Sequence, residues 1–143
     1  MKKIVLTNYG NAENAFKIKT EQAPIPNDDE VLIKVDAFGL NFADVLARQG
    51  LYNDAPDLPA VLSYEVVGTI DKVGKNVLSI QKGQRVVAFT RFGGYAEYAI
   101  ASSMAVAIIP PEMSNGTAAA LTTQYCTAYY CAHEMVSLFK EDH

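Results

Sequence analysis

Alternating hydrophobic and polar positions dominate the first hundred residues of this chain. The segment "VLIKVDAFGL" places Val31, Ile33, Val35 and Ala37 on one side of an extended strand, because successive strand side chains point to opposite faces. Two earlier β-rich segments, "KKIVLTNY" and "AFKIKTEQ", are joined by the turn-forming "GNAEN". These two segments predict an opening hairpin.

Four further short strands are predicted in "YEVVGTIDKVG", "QRVVAFT", "GYAEYAIAS" and "AVAIIP". Turn-forming stretches separate them at even spacing, which is typical of all-β architectures. The pattern therefore predicts a mainly β fold, arranged as a compact barrel or a folded sheet.

The pattern changes after Pro110. Ser114 is a good helix N-cap, and the stretch "AAALTTQYCTAYYCAHEMVSLFK" contains no proline or glycine. It predicts one helix, or two helices that meet near Thr122 and Thr123. The two cysteines of the chain, Cys126 and Cys131, lie five residues apart in this stretch and therefore on different helical faces. We interpret them as small core residues.

Composition narrows the classes of function. Half of the 143 residues are hydrophobic, a fifth are charged and the net charge is −4, which is typical of a globular protein. The lysines are scattered, so no nucleic-acid surface or anionic-membrane patch is expected. No apolar run reaches the ~20 residues of a membrane span, and the N-terminus does not resemble a signal peptide. We expect a cytoplasmic protein.

Several kinds of active site are disfavoured by the motifs. No glycine-rich turn of the dinucleotide type follows a strand, and the two glycines of "FGGYAEY" read as a hairpin corner. His133 and His143 are distant from one another and neither cysteine has a partner, so no zinc site is expected. A hydrolase is disfavoured because no G-x-S-x-G elbow is present.

The stretch "GLNFADVLARQG" carries a polar stripe. Asn41, Asp44 and Arg48 follow one another at intervals of three and four, which aligns them on one face of a helix. In the simplest interpretation this is a solvated surface helix, capped by Asn41 and ended by Gly50, with charges that suit the helix dipole. The alternative is that the stripe faces a binding site.

Taken together, the blocks "PNDDEVLIKVDAFGLNFADVLARQGLY", "YEVVGTIDKVG", "KGQRVVAF" and "GGYAEYAI" resemble the medium-chain dehydrogenase/reductase superfamily over nearly the whole chain. "NFADVLARQG" is similar to its zinc-independent quinone oxidoreductase branch. Zinc-using members carry a cysteine at the position of Asn41 and a His-Glu pair at Tyr64 and Glu65. The resemblance implies a GroES-like, partly open β-barrel with a short helical turn and C-terminal helices, and catalysis without zinc.

The same resemblance implies roles for four residues at a cleft between a GroES-like catalytic domain and a Rossmann domain. Asn41 and Asp44 would face the nicotinamide ribose and the substrate, and Thr127 would lie near the nicotinamide ring. Tyr52 would donate a hydrogen bond to a substrate oxygen that gains charge as hydride arrives. The candidate catalytic residues are thus Asn41 and Tyr52, and the candidate cofactor-binding residues are Asn41, Asp44 and Thr127.

Structural roles are expected for several other residues near these sites. Glu65 is expected to be a structural carboxylate bonded by a backbone amide or an arginine. Arg48 is expected to pair with a carboxylate. The family usually has Pro-Gly at Leu62 and Ser63 and Asp at Gln84, so these positions bear on the geometry of two loops.

The implied activity is hydride transfer from a nicotinamide, namely NADPH, to a quinone or an activated enone. Residues 1–113 would be the catalytic domain and 114–143 a helical segment leading to an absent Rossmann domain, so we expect the 143-residue chain alone to be inactive. A homodimer is expected. Two alternatives remain open: a non-enzymatic GroES-like assembly module, and a fragment whose exposed tyrosine-bearing helix pairs with a second copy.

Overall fold

The computed structural model describes residues 1–137, which form two antiparallel sheets followed by a helical segment. The strands are β1 (Lys2–Leu6), β2 (Phe16–Thr20), β3 (Glu30–Phe38), β4 (Glu65–Val73), β5 (Arg85–Phe89), β6 (Tyr98–Ser102) and β7 (Val106–Ile108). The helices are α1 (Ala12–Ala15), α2 (Phe42–Gln49), α3 (Asn115–Ala120) and α4 (Cys126–Tyr130), with a 3₁₀ turn at Ser103–Ala105 and π-helical turns at Leu121–Tyr125 and Cys131–Met135. The last predicted helical positions, 138–140, and His143 lie outside the described residues.

A curled five-stranded sheet, ordered β6-β3-β4-β5-β7, forms a half-barrel. Strand β3 pairs with β4 through two register shifts, one between Leu32 and Ile33 and the other between Val35 and Ala37. Such bulges bend a strand and increase its twist, which helps the sheet to curl. The predicted hairpin is confirmed as the separate sheet β1-β2, and the predicted partly open GroES-like barrel is also confirmed.

The main core lies inside the curled sheet. Val31 and Ile33 of β3 are fully buried there together with residues of β4, β5 and β6, and Val35 packs against them. The predicted alternation is therefore confirmed for Val31, Ile33 and Val35. It is wrong for Ala37, which follows the second register shift and packs against a different cluster around Val67 and Val87. Leu32 is buried as well, so β3 is covered on both sides at that point.

Helix α3 packs on the sheet through small residues. Ala118 and Ala119 contact Val67 of β4 and Val87 of β5 in a second apolar cluster. The predicted cap is confirmed, because the Ser114 hydroxyl accepts a hydrogen bond from the backbone N–H of Thr117 at 3.1 Å. At the predicted break the helix does not end. It widens into the π-helical turn Leu121–Tyr125 and continues into α4.

The interpretation of the two cysteines as core residues is wrong. Cys126 and Cys131 are both exposed, as are the helical residues Tyr125, Tyr129 and Tyr130. The physical reason is that, within residues 1–137, the helical segment buries side chains against the sheet only in its first turns. Of the described helices, none is long and apolar enough to cross a bilayer.

Candidate functional site

Helix α2 begins and ends as its sequence predicts. Asn41 is the N-cap, and the Asp44 Oδ2 accepts a hydrogen bond from the backbone N–H of Asn41 at 2.9 Å. Gly50 ends the helix with φ 74°, in the left-handed region that glycine adopts without strain. The capping interpretation is thus confirmed. The solvated-face interpretation is wrong for Asp44, which is only 5% exposed.

Asp44 also holds the loop that precedes β4. Its second oxygen, Oδ1, accepts a hydrogen bond from the backbone N–H of Ser63 at 3.1 Å. Ser63 lies at φ 78°, where glycine is favoured, which accounts for the glycine expected at this position. The Ser63 hydroxyl donates to the backbone carbonyl of Gly39 at 3.0 Å, a contact that glycine could not make. The serine therefore keeps the glycine-type turn and adds a hydrogen bond to it.

The loop at Gln84 is maintained in a similar way. The Gln84 Oε1 accepts a hydrogen bond from the backbone N–H of Gln81 at 2.8 Å. A carboxylate oxygen accepts the same bond, so an amide can replace the usual aspartate here.

Glu65 is the centre of a buried polar network. Its side chain is 0% exposed, and its two oxygens accept hydrogen bonds from the Asn41 Nδ2 at 3.0 and 2.9 Å. The Thr123 hydroxyl donates to Glu65 Oε2 at 2.5 Å. The expectation of a backbone amide or an arginine was wrong, because uncharged side-chain donors from the N-cap of α2 and from the π-helical turn satisfy the carboxylate instead.

Gly39 leaves room for this carboxylate. A Cβ at Gly39 would lie 1.7 Å from Glu65 Oε1, far inside contact distance. We call Gly39, Asn41, Ser63, Glu65 and Thr123 the Glu65 cluster. The sequence pattern did not predict a role in the site for Gly39 or Thr123. The available signals were a glycine just before an N-cap and a hydroxyl residue in an alanine-rich helix.

A second polar feature is a pair of tyrosines. The Tyr64 hydroxyl donates to the Tyr52 hydroxyl at 2.8 Å, and the two rings meet edge to face with centroids 6.5 Å apart. Tyr64 also packs on Phe92 and Phe89, with centroids 5.0 and 5.8 Å away. Burial, and then the hydrogen bond to Tyr52, raise the pKa of Tyr64. Tyr64 is therefore a neutral donor at physiological pH.

The polar stripe of α2 faces an apolar cavity of about 530 Å³. Its polar lining residues are Asn41, Asp44, Arg48 and Tyr95. Burial, followed by the nearby Asp44 carboxylate, raises the pKa of Tyr95, which keeps its phenol neutral. Arg48 donates to the backbone carbonyl of Gly10, so the expected pairing with a carboxylate was wrong. The remaining lining residues are apolar: Ile4, Ala12, Phe16, Phe38, Leu40, Phe42 and Val45.

The structure brings some of the candidate residues together and leaves others apart. Asn41 and Asp44 share a direct hydrogen bond, and Asn41 reaches the final helix through Glu65 and Thr123. Thr127 lies one turn beyond Thr123, with an exposed side chain. Tyr52 is half-buried and bonds to Tyr64, outside the Glu65 cluster. In the described part of the chain, no group of three or more His, Cys, Asp or Glu residues is arranged to hold a metal ion.

The alcohol dehydrogenase GroES-like domain family matches residues 27–111, which is more than half of the chain. The chain belongs to this family. The matched region runs from just before β3 to just after β7 and includes Asn41, Tyr52 and Glu65. The structural neighbours of the chain are quinone oxidoreductases of the medium-chain dehydrogenase/reductase superfamily. The resemblance seen in the sequence is therefore confirmed.

Two relatives show where the similarity lies. A quinone oxidoreductase of Lama guanicoe is 40% identical over 131 residues, which are 90% of this chain and 39% of the relative. The synaptic vesicle membrane protein VAT-1 homolog-like of Mus musculus is 34% identical over 138 residues, covering 96% of this chain and 33% of the relative. The chain therefore spans between a third and two fifths of the length of these relatives.

Solved structures agree with this assignment. The human synaptic vesicle membrane protein VAT-1 homolog-like protein superposes with a TM-score of 0.90 at 34% identity, over 96% of this chain and 44% of that one. The Escherichia coli quinone oxidoreductase complexed with NADPH superposes with a TM-score of 0.88 at 29% identity, over 96% of this chain and 42% of that one.

Proposed function

We propose that the chain is the catalytic-domain portion of a zinc-independent oxidoreductase that transfers hydride from NADPH to a quinone or an activated enone. One observation supports this most strongly. The Glu65 carboxylate joins Asn41, 24 residues before it, to Thr123, 58 residues after it. This contact joins the start of α2 to the helix that carries Thr127, which supports a shared role for Asn41 and Thr127. The quinone oxidoreductase relatives and the NADPH-complexed neighbour support the reaction class.

The residues present suit the nicotinamide end of the cofactor. Thr127 offers an exposed hydroxyl, and Asn41 is a half-buried amide whose orientation Glu65 fixes. Within residues 1–137 the strand pairings are all antiparallel, and no glycine-rich turn connects a strand to a helix in the manner that binds a pyrophosphate. We therefore propose that Asn41 and Thr127 border the nicotinamide and its ribose, and that the phosphates are held by groups other than these residues.

The reduced nicotinamide, when bound, supplies the hydride. The proposed catalytic role of Tyr52 is to donate its proton in a hydrogen bond to the acceptor oxygen, which gains negative charge as the hydride arrives. The proposed role of Asn41 is to help hold the nicotinamide and the acceptor in a reactive orientation. For Asp44 we propose a positioning role in place of direct contact with the cofactor, because both of its oxygens accept backbone N–H groups and it is buried.

Independence of zinc is part of the proposal. Asn41 and Tyr64 stand where zinc-using members have cysteine and histidine. Both side chains already have hydrogen-bond partners, Glu65 for the amide and Tyr52 for the phenol. Neither an amide nitrogen nor a neutral phenol is a usual zinc ligand. Added zinc is therefore expected neither to bind stoichiometrically nor to stabilise the chain.

The activity is tested by following NADPH oxidation with a quinone such as duroquinone. The product of the complete reading frame that encodes this chain is expected to oxidise NADPH in a quinone-dependent way. The isolated 143-residue chain is expected to show no rate above a buffer control. Failure of the complete product with quinones and enones would contradict the proposed reaction. Turnover by the isolated chain would contradict its proposed inactivity.

Three further assignments belong to the same proposal. Residues 1–113 form the catalytic unit, and residues from 114 onward form the helix that borders the cofactor. The active protein is a homodimer, which sedimentation of the complete product tests, and it is located in the cytoplasm, which cell fractionation tests.

A further inference from the structure

We propose that Tyr64 is a positioning residue: by donating its own hydroxyl proton to Tyr52, it directs the Tyr52 proton away from the pair and toward an acceptor oxygen. The consequence for catalysis rests on the proposed function, in which Tyr52 meets the quinone or enone. The orientation itself depends only on the two tyrosines.

The geometry supports a fixed direction for this hydrogen bond. The two hydroxyl oxygens are 2.8 Å apart, with Tyr64 as the donor. A hydroxyl has one proton to donate, so Tyr64 has no second one and Tyr52 retains its own. Within residues 1–137 no protein group accepts the Tyr52 proton, whereas its oxygen already accepts one. The Tyr52 proton is therefore available to an acceptor from outside the described residues, such as a ligand oxygen.

Packing holds the donor in place. Tyr64 is 8% exposed, and its ring is enclosed by Phe89 and Phe92 as well as by Tyr52. Tyr64 directly precedes Glu65, and the Thr90 hydroxyl and backbone N–H both bond to its backbone carbonyl, at 3.1 and 2.7 Å. The ring and the backbone of Tyr64 are thus both fixed. Tyr52, by contrast, is half-buried and lies in a loop.

This arrangement makes the Tyr52 hydroxyl a better hydrogen-bond donor to an acceptor oxygen. A hydroxyl that accepts one hydrogen bond is polarised and becomes a better donor in the next. Burial first, then the hydrogen bond to Tyr52, and to a smaller degree the carboxylates of Asp54 and Asp44, raise the pKa of Tyr64, so the donor remains protonated. Asp54 is itself paired with Arg91 at 2.8 Å.

The test uses the 143-residue chain with tyrosines labelled at the ζ carbon and titrated by NMR. Tyr64→Phe keeps the ring and removes only the donor, so it is expected to shift the ζ-carbon resonance of neutral Tyr52, whose oxygen loses a hydrogen bond. Tyr52→Phe is expected to lower the pKa of Tyr64, which provides an independent measurement if Tyr64→Phe does not fold. Tyr9→Phe, on an exposed tyrosine, is the matched control and is expected to change neither value.

Binding of duroquinone, measured by NMR in the absence of any hydride donor, connects the pair to the proposed function. Tyr64→Phe is expected to weaken binding about fivefold, the worth of one hydrogen bond, and to have no further effect in the Tyr52→Phe background. A raised or unchanged pKa of Tyr64 in Tyr52→Phe would overturn the inference, because a donor that loses its acceptor ionises more readily. So would an equal loss of binding in both backgrounds. If duroquinone does not bind the chain while the pKa of Tyr64 falls as expected in Tyr52→Phe, the direction of the hydrogen bond is supported and its proposed role in quinone binding fails; the proposed reaction is tested separately on the complete product.

Discussion

The Glu65 cluster and the outer part of the final helix, residues 126–135, differ in how their polar groups are satisfied. In the cluster, a fully buried carboxylate is bonded by two side chains, and Gly39 provides the space for it. In the outer helix, Thr127, Tyr129 and Tyr130 have exposed side chains. The two regions are connected, since Thr123 and Thr127 lie one turn apart.

The difference indicates that the two regions have different roles in the candidate site. A buried charge whose partners are all in place is rigid and costly to disturb. Exposed hydroxyls and rings contribute little to the stability of the fold and remain accessible to a ligand. Under the proposed function, the cluster would support the site and the outer helix would form part of its ligand-facing side.

The largest effect on stability is expected when a side chain is introduced at Gly39. Gly39→Ala places a Cβ 1.7 Å from Glu65 Oε1, so the carboxylate must leave its donors or the backbone must move. The free energy of unfolding is expected to fall by about 3 kcal/mol in urea denaturation. Gly116→Ala is the matched control, because nothing lies within 4 Å of its Cβ and alanine favours the helix that contains it. A cost for Gly39→Ala no larger than that of Gly116→Ala would contradict the account.

Two threonines one turn apart compare the regions directly. Thr123→Val removes the donor to Glu65 and is expected to cost about 2 kcal/mol of unfolding free energy, since bonds to charged groups are the stronger ones. Thr127→Val, on an exposed residue, is expected to change it by less than about 0.5 kcal/mol. Equal effects, measured by urea denaturation, would remove the distinction between the two regions.

High pH tests the buried phenol beside the cluster. Because burial and Asp44 raise the folded-state pKa of Tyr95, its contribution to stability is fully present below the unfolded pKa of about 10 and is lost as pH rises above it. The unfolding free energy should then fall by up to ~1.4 kcal/mol per pH unit for this one group. Urea titrations between pH 8 and 11.5 should show a shallower fall in Tyr95→Phe. An identical slope in the variant would be evidence against the raised pKa.

The smallest effect is expected at Ser63. Ser63→Ala keeps the left-handed backbone and loses the bond to Gly39, so it should cost about 1 kcal/mol. Ser63→Gly loses the same bond but relieves the backbone strain, so it should cost less than the alanine variant. Denaturation midpoints compare the two. Because both variants lack the hydroxyl, a larger loss in the glycine variant would contradict the backbone strain at this position.

Local patterns were enough to predict the β-rich fold and the caps of α2. Alternation over β3 and the Asn41–Gly50 stretch act within one element, where side-chain period and helix termini decide the outcome. The partner of Glu65 could not be predicted in this way. Thr123 is 58 residues away in sequence, and its role depends on how α3 and the π-helical turn dock on the sheet.

The exposed cysteines show a related limit. An apolar, alanine-rich helix is normally buried, and periodicity gives no information on which turns have a packing partner. Only α3 and the turn after it reach the sheet, so Cys126 and Cys131 remain exposed among the described residues.

Donation from Tyr52 to the acceptor oxygen is the central step of the proposed mechanism, and steady-state quinone reduction by the product of the complete reading frame tests it directly. Tyr52→Phe is expected to lower kcat/KM for duroquinone about 10²-fold, as the loss of a donor to a developing oxyanion does, with the fold unchanged. The Tyr9→Phe control should stay within about twofold of the original, since a surface substitution of this kind changes little. A Tyr52→Phe enzyme with unchanged kcat/KM would contradict the account.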